Sequence, residues 1–177
     1  LPLIVRGELT ISGLQSDSLQ GDIAFASILE QMGAQVSWTD EGIHIAYRPL
    51  SAVDVDMNAI SDVAPTLAVL ALFAQGTTHI RNVANMRVKE SDRIDVLVKG
   101  LRRLGAIVQE YADGLSITGF GSYHPAMLDV AEDHRMAMAF TLAGLAVPGV
   151  EINNRACVAK TFPGFFTAIE SLFSSSL

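Results

Sequence analysis

Between Arg87 and Arg93 stand three cations and two carboxylates, in the run Asn85-Met86-Arg87-Val88-Lys89-Glu90-Ser91-Asp92-Arg93-Ile94. A carboxylate between fixed cations can bind an anion through its neighbours or move a proton. It can also be an ordinary salt bridge at a helix start, because most surface ion pairs do no chemistry. Apolar residues at helical spacing follow directly: Ile94, Leu97, Val98, Leu101 and Leu104. The charges therefore gather at the front of a helix whose opposite face is core. On a continuous helix Lys89 and Arg93 share a face, and Glu90 lies beside Arg93 at i,i+3.

Two other stretches place charge before an apolar run. Asp62 precedes a segment that is almost wholly apolar to Ala74, and Asp133-His134-Arg135 precedes a second one that reaches Val147. A helix apolar all round is buried on every side, so both belong at the centre of a domain. For each aspartate, simple N-capping competes with a functional reading. Helix N-termini gathered at one end would make an anion site, to which Lys89, Arg93, Arg135 and Lys160 would add charge. His134 after an Asp can serve merely as a cap, Asn85 as a turn residue, and Arg87 as a structural cation. Cys157 reads as a small loop or core filler.

The elements that must position these residues repeat. Met32-Gly33-Ala34-x-Val36 recurs as Leu104-Gly105-Ala106-x-Val108, and Asp62 and Lys89 match Asp133 and Lys160 at nearly the same offset. The unit reads as β-α-β-α-β-β. The expected fold is α/β (α+β), a single domain over 1–177 with repeats at roughly 7–118 and 127–173, packed around buried parallel helices. In order, strands are expected at 7–11, 53–57, 77–83, near 127–130 and at 149–153, with hairpins at 35–46 and 107–118. Asp22 is expected to cap a helix that Gly33 stops. Thr161 is expected to cap a last helix with Phe165, Ala168, Ile169 and Leu172 inward, and the serines at 174–176 to fray.

Composition narrows the classes. Half of the 177 residues are hydrophobic, enough for a substantial core. The net charge of −7 argues against general nucleic-acid or anionic-membrane binding. The apolar runs are too short to span a bilayer. One cysteine cannot form an internal disulfide and fits a reducing, cytoplasmic setting. The start at Leu1 shows no signal peptide and no initiator Met, which suggests a fragment or a processed chain.

Three motifs carry a resemblance: Arg87-Val88-Lys89-Glu90-Ser91-Asp92-Arg93, Asp133-His134-Arg135-Met136-Ala137-Met138, and Ala159-Lys160-Thr161-Phe162-Pro163. With Gln20-Gly21-Asp22-x-x-Phe25 and Ser61-Asp62, they make the chain closely similar to the EPSP synthases, the 3-phosphoshikimate 1-carboxyvinyltransferases of the shikimate pathway. The Asp-His-Arg motif separates that family from the UDP-N-acetylglucosamine enolpyruvyl transferases, which share its fold. The resemblance implies one domain of the inside-out α/β barrel of enolpyruvyl transferases, with an active site in the cleft against a second domain. It covers only the later part of such an enzyme. The family's N-terminal Lys-Ser segment, glycine-rich phosphoenolpyruvate loop and Ser-Ser-Gln motif are absent from this chain. The implied roles are Asp62 at the shikimate 5-hydroxyl, Glu90 as proton shuttle at C3 of phosphoenolpyruvate, and Lys89 and Asn85 on the shikimate part. Arg93 and Arg135 are implied on the phosphoenolpyruvate carboxylate, and Lys160 on the phosphate with His134 nearby. The implied partners are shikimate 3-phosphate, phosphoenolpyruvate and the missing domain, with no metal or cofactor. The competing expectation is a non-catalytic anion-binding or assembly module on the same fold.

Overall fold

The structure, a computed structural model, describes residues 1–174. Helix α1 (Pro2–Val5) leads into strand β1 (Glu8–Ser12), then helix α2 (Phe25–Gln31) and the hairpin β2 (Gln35–Thr39) and β3 (Gly42–Ala46). Strands β4 (Leu50–Ser51) and β5 (Asp54–Asp56) precede helix α3 (Ala64–Ala71), followed by β6 (Ala74–Gln75) and β7 (Thr77–Arg81). Helix α4 (Arg93–Arg103) and the hairpin β8 (Ile107–Tyr111) and β9 (Gly114–Thr118) come next. The chain continues with β10 (Met127–Leu128), α5 (His134–Ala146), β11 (Glu151–Ile152) and α6 (Phe165–Ser174). The expected serine tail lies, beyond Ser174, outside the described residues.

The two apolar runs become the central helices. Leu67, Ala68 and Val69 on α3 and Met136, Ala137 and Phe140 on α5 have no solvent exposure. Asp62 and Arg135 meet at one end of the pair, and Leu72 and Val147 line one cavity at the other, so the two helices run parallel. Each lies inside a β-α-β crossover: β5 and β7 pair in parallel around α3, and β10 and β11 around α5. Amphipathic α4 buries Ile94, Leu97, Val98 and Leu101 against this core. Gly100 lies against the Phe140 ring, where a Cβ would not fit.

The sheets redraw the repeat boundaries. The stretch expected as one unit, 7–118, carries two separate sheets: antiparallel β1-β3-β2, and β5-β7-β9-β8. The recurring Met-Gly-Ala and Leu-Gly-Ala segments each lead into the hairpin of one of these sheets. Gly42 and Gly114 open the second strand of those hairpins, and each faces a neighbouring strand's carbonyl, that of Ile11 or Ile80, where a Cβ would clash. The third copy holds β10, α5, β11 and α6. Where β7 carries β9 on its outer edge, β11 has no such strand among the described residues.

Several local expectations are corrected. Asp22 does not cap a helix; it lies in a 3-10 turn, Gly21–Ala24, and α2 starts at Phe25. Asp62 does not cap α3. It lies in the 3-10 turn Asn58–Val63, and α3 starts at Ala64 with Pro65 in its first turn, where a missing N–H costs nothing. Asp133 is a true N-cap, accepting from the Arg135 backbone N–H at 2.9 Å. Lys89 and Arg93 do not share a helix face, because α4 begins at Arg93 with Asp92 as its cap and Lys89 lies before it, at the end of the 3-10 turn Ala84–Val88. Thr161 ends the 3-10 turn Ala156–Lys160 instead of capping α6, since Pro163 and Gly164 intervene. On α6, Phe165 is buried but Leu172 is 41 % exposed, because nothing among the described residues covers that end. Helix α1 was not expected. Its run of apolar residues has no polar face to mark a period, and Leu3 and Ile4 are buried by packing.

Candidate active site

Four segments deliver charge to one end of the central helices: the turn before α3, the approach to α4, the N-terminus of α5 and the 3-10 turn Ala156–Lys160. Arg93 is the hub. Its Nε donates to Asp133 Oδ2 at 2.7 Å, Nη1 to Asp62 Oδ1 at 2.9 Å, and Nη2 to Glu90 Oε2 at 2.6 Å. Its side chain is 1 % exposed and that of Asp133 0 %. Asp133 also accepts from Ser91 Oγ at 3.2 Å, so each of its oxygens is partnered. A buried charge needs this degree of pairing to stay ionised.

Around the hub stand groups open to solvent. Arg135 Nη2 is 3.0 Å from Asp62 Oδ2, and its Nη1 donates to the Asp62 backbone carbonyl. Lys89 Nζ is 3.5 Å from Asp62 Oδ1. Lys160 Nζ donates to Glu90 Oε1 at 2.8 Å. Four cations thus face three carboxylates, leaving an excess of positive charge at the end where α3, α4 and α5 begin. The helix dipoles add to it. Partial burial pushes the Asp62 carboxyl up, but the charges of Arg135, Lys89 and Arg93 outweigh it and hold it below its ordinary value. Glu90 falls to about 2, first through the Lys160 hydrogen bond, then through its own backbone N–H and the nearby cations.

The remaining residues divide. His134 is buried beside the hub, with Nδ1 3.9 Å from Asp133 Oδ1 and no hydrogen-bond partner. Burial lowers its pKa, favouring the neutral ring. Asn85 donates from Nδ2 to Ser61 Oγ at 3.0 Å, while its Oδ1 is buried and unpartnered. Arg87 turns away and clamps the β8–β9 hairpin, bonding Glu110 at 2.8 Å and the carbonyls of Tyr111 and Ala112. Cys157 is partly buried, and burial raises its thiol pKa, as suits an unreactive filler. Asp62, Lys89, Glu90, Arg93, Arg135 and Lys160 therefore converge although they span 98 positions of chain, from 62 to 160.

Sequence reasoning missed the weight carried by Asp133 and Ser91. Asp133 reads as a cap and is one, but it also anchors Arg93 from forty positions away. Arg93 departs from its expected setting as well: all of its donor nitrogens are on carboxylates. Among the described residues no group of His, Cys, Asp and Glu is arranged to hold a metal ion. A groove of about 520 Å³ lies elsewhere, between α5, β11 and α6.

The charge on Glu90 and Asp62 makes the fold acid-sensitive. Glu90 and Asp62 are both more acidic folded than unfolded. Their contribution to stability is therefore complete above the ordinary carboxyl pKa of about 4.5 and is lost as the pH falls toward about 2. Urea midpoints measured between about pH 6 and pH 3 are expected to fall below about 4.5. A flat profile over that range would show that the cluster does not form in solution.

A pair of parallel core helices in β-α-β crossovers, with charged N-termini at one end, is the enolpyruvyl transferase fold. The enolpyruvyl transferase NikO from Streptomyces tendae superposes with a TM-score of 0.67 at 25 % identity, over 94 % of this chain and 38 % of its own. The profile of EPSP synthase (3-phosphoshikimate 1-carboxyvinyltransferase) matches residues 2–169, and the chain belongs to that family. The 3-phosphoshikimate 1-carboxyvinyltransferase of Shewanella pealeana is 46 % identical over 169 residues, 96 % of this chain and 40 % of the relative. That of Colwellia psychrerythraea is 50 % identical over 163 residues, 92 % of this chain and 38 % of the relative. The EPSP synthase of Acinetobacter baumannii superposes with a TM-score of 0.84 at 29 % identity, covering 96 % of this chain and 42 % of that one. The chain thus spans about 40 % of the length of the curated relatives it matches. No helix among the described residues is long and apolar enough to cross a membrane.

Proposed function

We propose that this chain supplies one wall of an active site that transfers the enolpyruvyl group of phosphoenolpyruvate to the 5-hydroxyl of shikimate 3-phosphate. The observation that carries the reading is the meeting of two accessible carboxylates, Asp62 and Glu90, with four cations at the end of the core where α3, α4 and α5 begin. Both substrates are polyanions, and addition across the enol double bond needs a base at the hydroxyl and an acid at C3. Asp62 accepts the hydroxyl proton as O5 bonds to C2, and Glu90 delivers a proton to C3. The ionised Glu90 then takes a C3 proton back as the C2–O bond to phosphate breaks, which restores the double bond, and the proton held by Asp62 leaves with the phosphate.

The cations bind and orient. Arg135, 30 % exposed, makes first contact with the phosphoenolpyruvate carboxylate through its planar fork. Arg93 lies behind it, holds Asp62 and Glu90 in place, and reaches a ligand only where Asp62 gives up its Nη1. Lys160 meets the phosphate, Lys89 and Asn85 the shikimate part, and His134 supports the floor of the site. No metal or organic cofactor takes part. The other wall belongs to a second domain, with 1–177 forming one domain portion, and the reaction belongs in the cytoplasm.

Mixing the purified chain with a separately expressed polypeptide for the missing domain tests this. Phosphate release from the two substrates is expected from the mixture. The chain alone is expected to give no turnover and only weak calorimetric binding, because one wall cannot exclude water. A non-catalytic anion-binding module predicts no turnover from the mixture. Micromolar binding of either substrate to the chain alone would overturn the half-site reading.

A further inference from the structure

Glu90 is held by two cations of opposite mobility. Arg93 is 1 % exposed, bonds Oε2 at 2.6 Å, and is itself tied to fully buried Asp133. It cannot move without unpairing a buried charge. Lys160 is 58 % exposed, bonds Oε1 at 2.8 Å, and carries its charge on a flexible four-carbon stem. A carboxylate gripped from both sides is a poor proton donor, yet the reaction proposed above asks Glu90 to give a proton to carbon. A general acid works best when it is protonated near the operating pH. The burial of the two cations decides how this conflict is resolved, since only one of them can leave.

We infer that Lys160 is a mobile counter-ion for Glu90: a phosphate-bearing ligand draws its ammonium away, and Glu90, left on Arg93 alone, becomes easier to protonate while that ligand is bound. This rests on the proposed reading of the site. Lys160 acts here as a positioning residue, through Glu90, besides meeting the phosphate. The other titratable groups facing Glu90 are Arg93 at the start of α4 and His134 at the start of α5, with Asp62 and Asp133 behind Arg93, and Lys89, next in the chain, lies on Asp62. Arg93 is neutralised by those two aspartates, and the arriving phosphate adds negative charge. Both effects favour the protonated carboxyl. The carboxyl is then closer to its acid form only in a loaded site.

The test follows the Glu90 carboxyl and the Lys160 side chain by carbon NMR in the 177-residue chain labelled with ¹³C-glutamate and ¹³C-lysine, with Glu90→Gln and Lys160→Met to assign the two signals. In the unmodified chain Glu90 is expected to stay ionised to the lowest pH at which the chain remains folded. Inorganic phosphate, added until the Lys160 side-chain signal stops moving, should raise its titration midpoint by about one unit or more, the size expected when one close opposite charge is removed. Lys160→Met should produce a similar rise without phosphate, and phosphate should then add little. Lys160→Gln, which keeps a donor but no charge, should titrate like Lys160→Met. An unchanged midpoint in both variants overturns the inference, as does phosphate that moves Lys160 but not Glu90. Phosphate that never moves Lys160 removes the ligand-linked step and overturns it too. The proposed function is judged separately, by turnover in the two-part mixture. A merely structural lysine would not move the Glu90 titration.

Discussion

Arg93→Met is expected to destabilise the folded chain by about 3–5 kcal/mol, the size that follows when one partner of a buried ion pair is removed. Methionine matches most of the arginine stem, so packing is largely kept. What remains is Asp133 at 0 % exposure with only Ser91 Oγ and the Arg135 backbone N–H as donors. That carboxylate must then stay charged in a dry setting or take up a proton, and either costs free energy. Asp133→Leu should cost a similar amount, because it strands Arg93 and also removes the α5 cap. The double variant should be more stable than the sum of the two losses implies, since neither buried charge is left alone. A double-mutant cycle by urea denaturation measures this coupling. Single losses below about 1 kcal/mol would place the pair among ordinary surface ion pairs and remove Arg93 as the hub.

Glu90→Gln in the two-part enzyme is expected to lower kcat by ~10²–10⁴ with little change in KM. Glutamine keeps the shape, but it has one acceptor oxygen for the two donors, Arg93 and Lys160, that Glu90 accepts from, and it has no titratable proton. Arg135→Ala should behave in the opposite way and chiefly raise the KM for phosphoenolpyruvate, because it removes a charge-assisted contact present before the reaction begins. Steady-state kinetics on both variants make the comparison. If Glu90→Gln raised KM and left kcat intact, Glu90 would be a binding group and the proton would have to come from elsewhere. Together these variants separate the group that holds the site together, the group that moves a proton and the group that grips substrate.

Much of this was legible in the residues. The parallel core helices follow from two runs with no polar face, and α4 from five apolar residues at helical spacing. The hairpins follow from acidic-Gly turns between alternating segments. The duplicated aspartates and lysines pointed to a shared end for the cations, and the structure places Lys89 and Lys160 on carboxylates there. Local periodicity and turn chemistry act between neighbours in the chain, so one sequence is enough to read them. Tertiary structure alone decided what each charge does. Asp62 and Asp133 look alike before an apolar run, yet one is a half-buried partner of three cations and the other a buried cap and anchor. Spacing cannot separate them, because the difference lies in Arg93 arriving from a third segment and taking Asp133 into the core. The same holds for the unit boundaries, since a repeated motif marks an equivalent position while hydrogen bonding between strands determines which sheet it joins. Burial of Arg93 against exposure of Lys160, on which the behaviour of Glu90 turns, is likewise a property of packing that no local pattern of residues records.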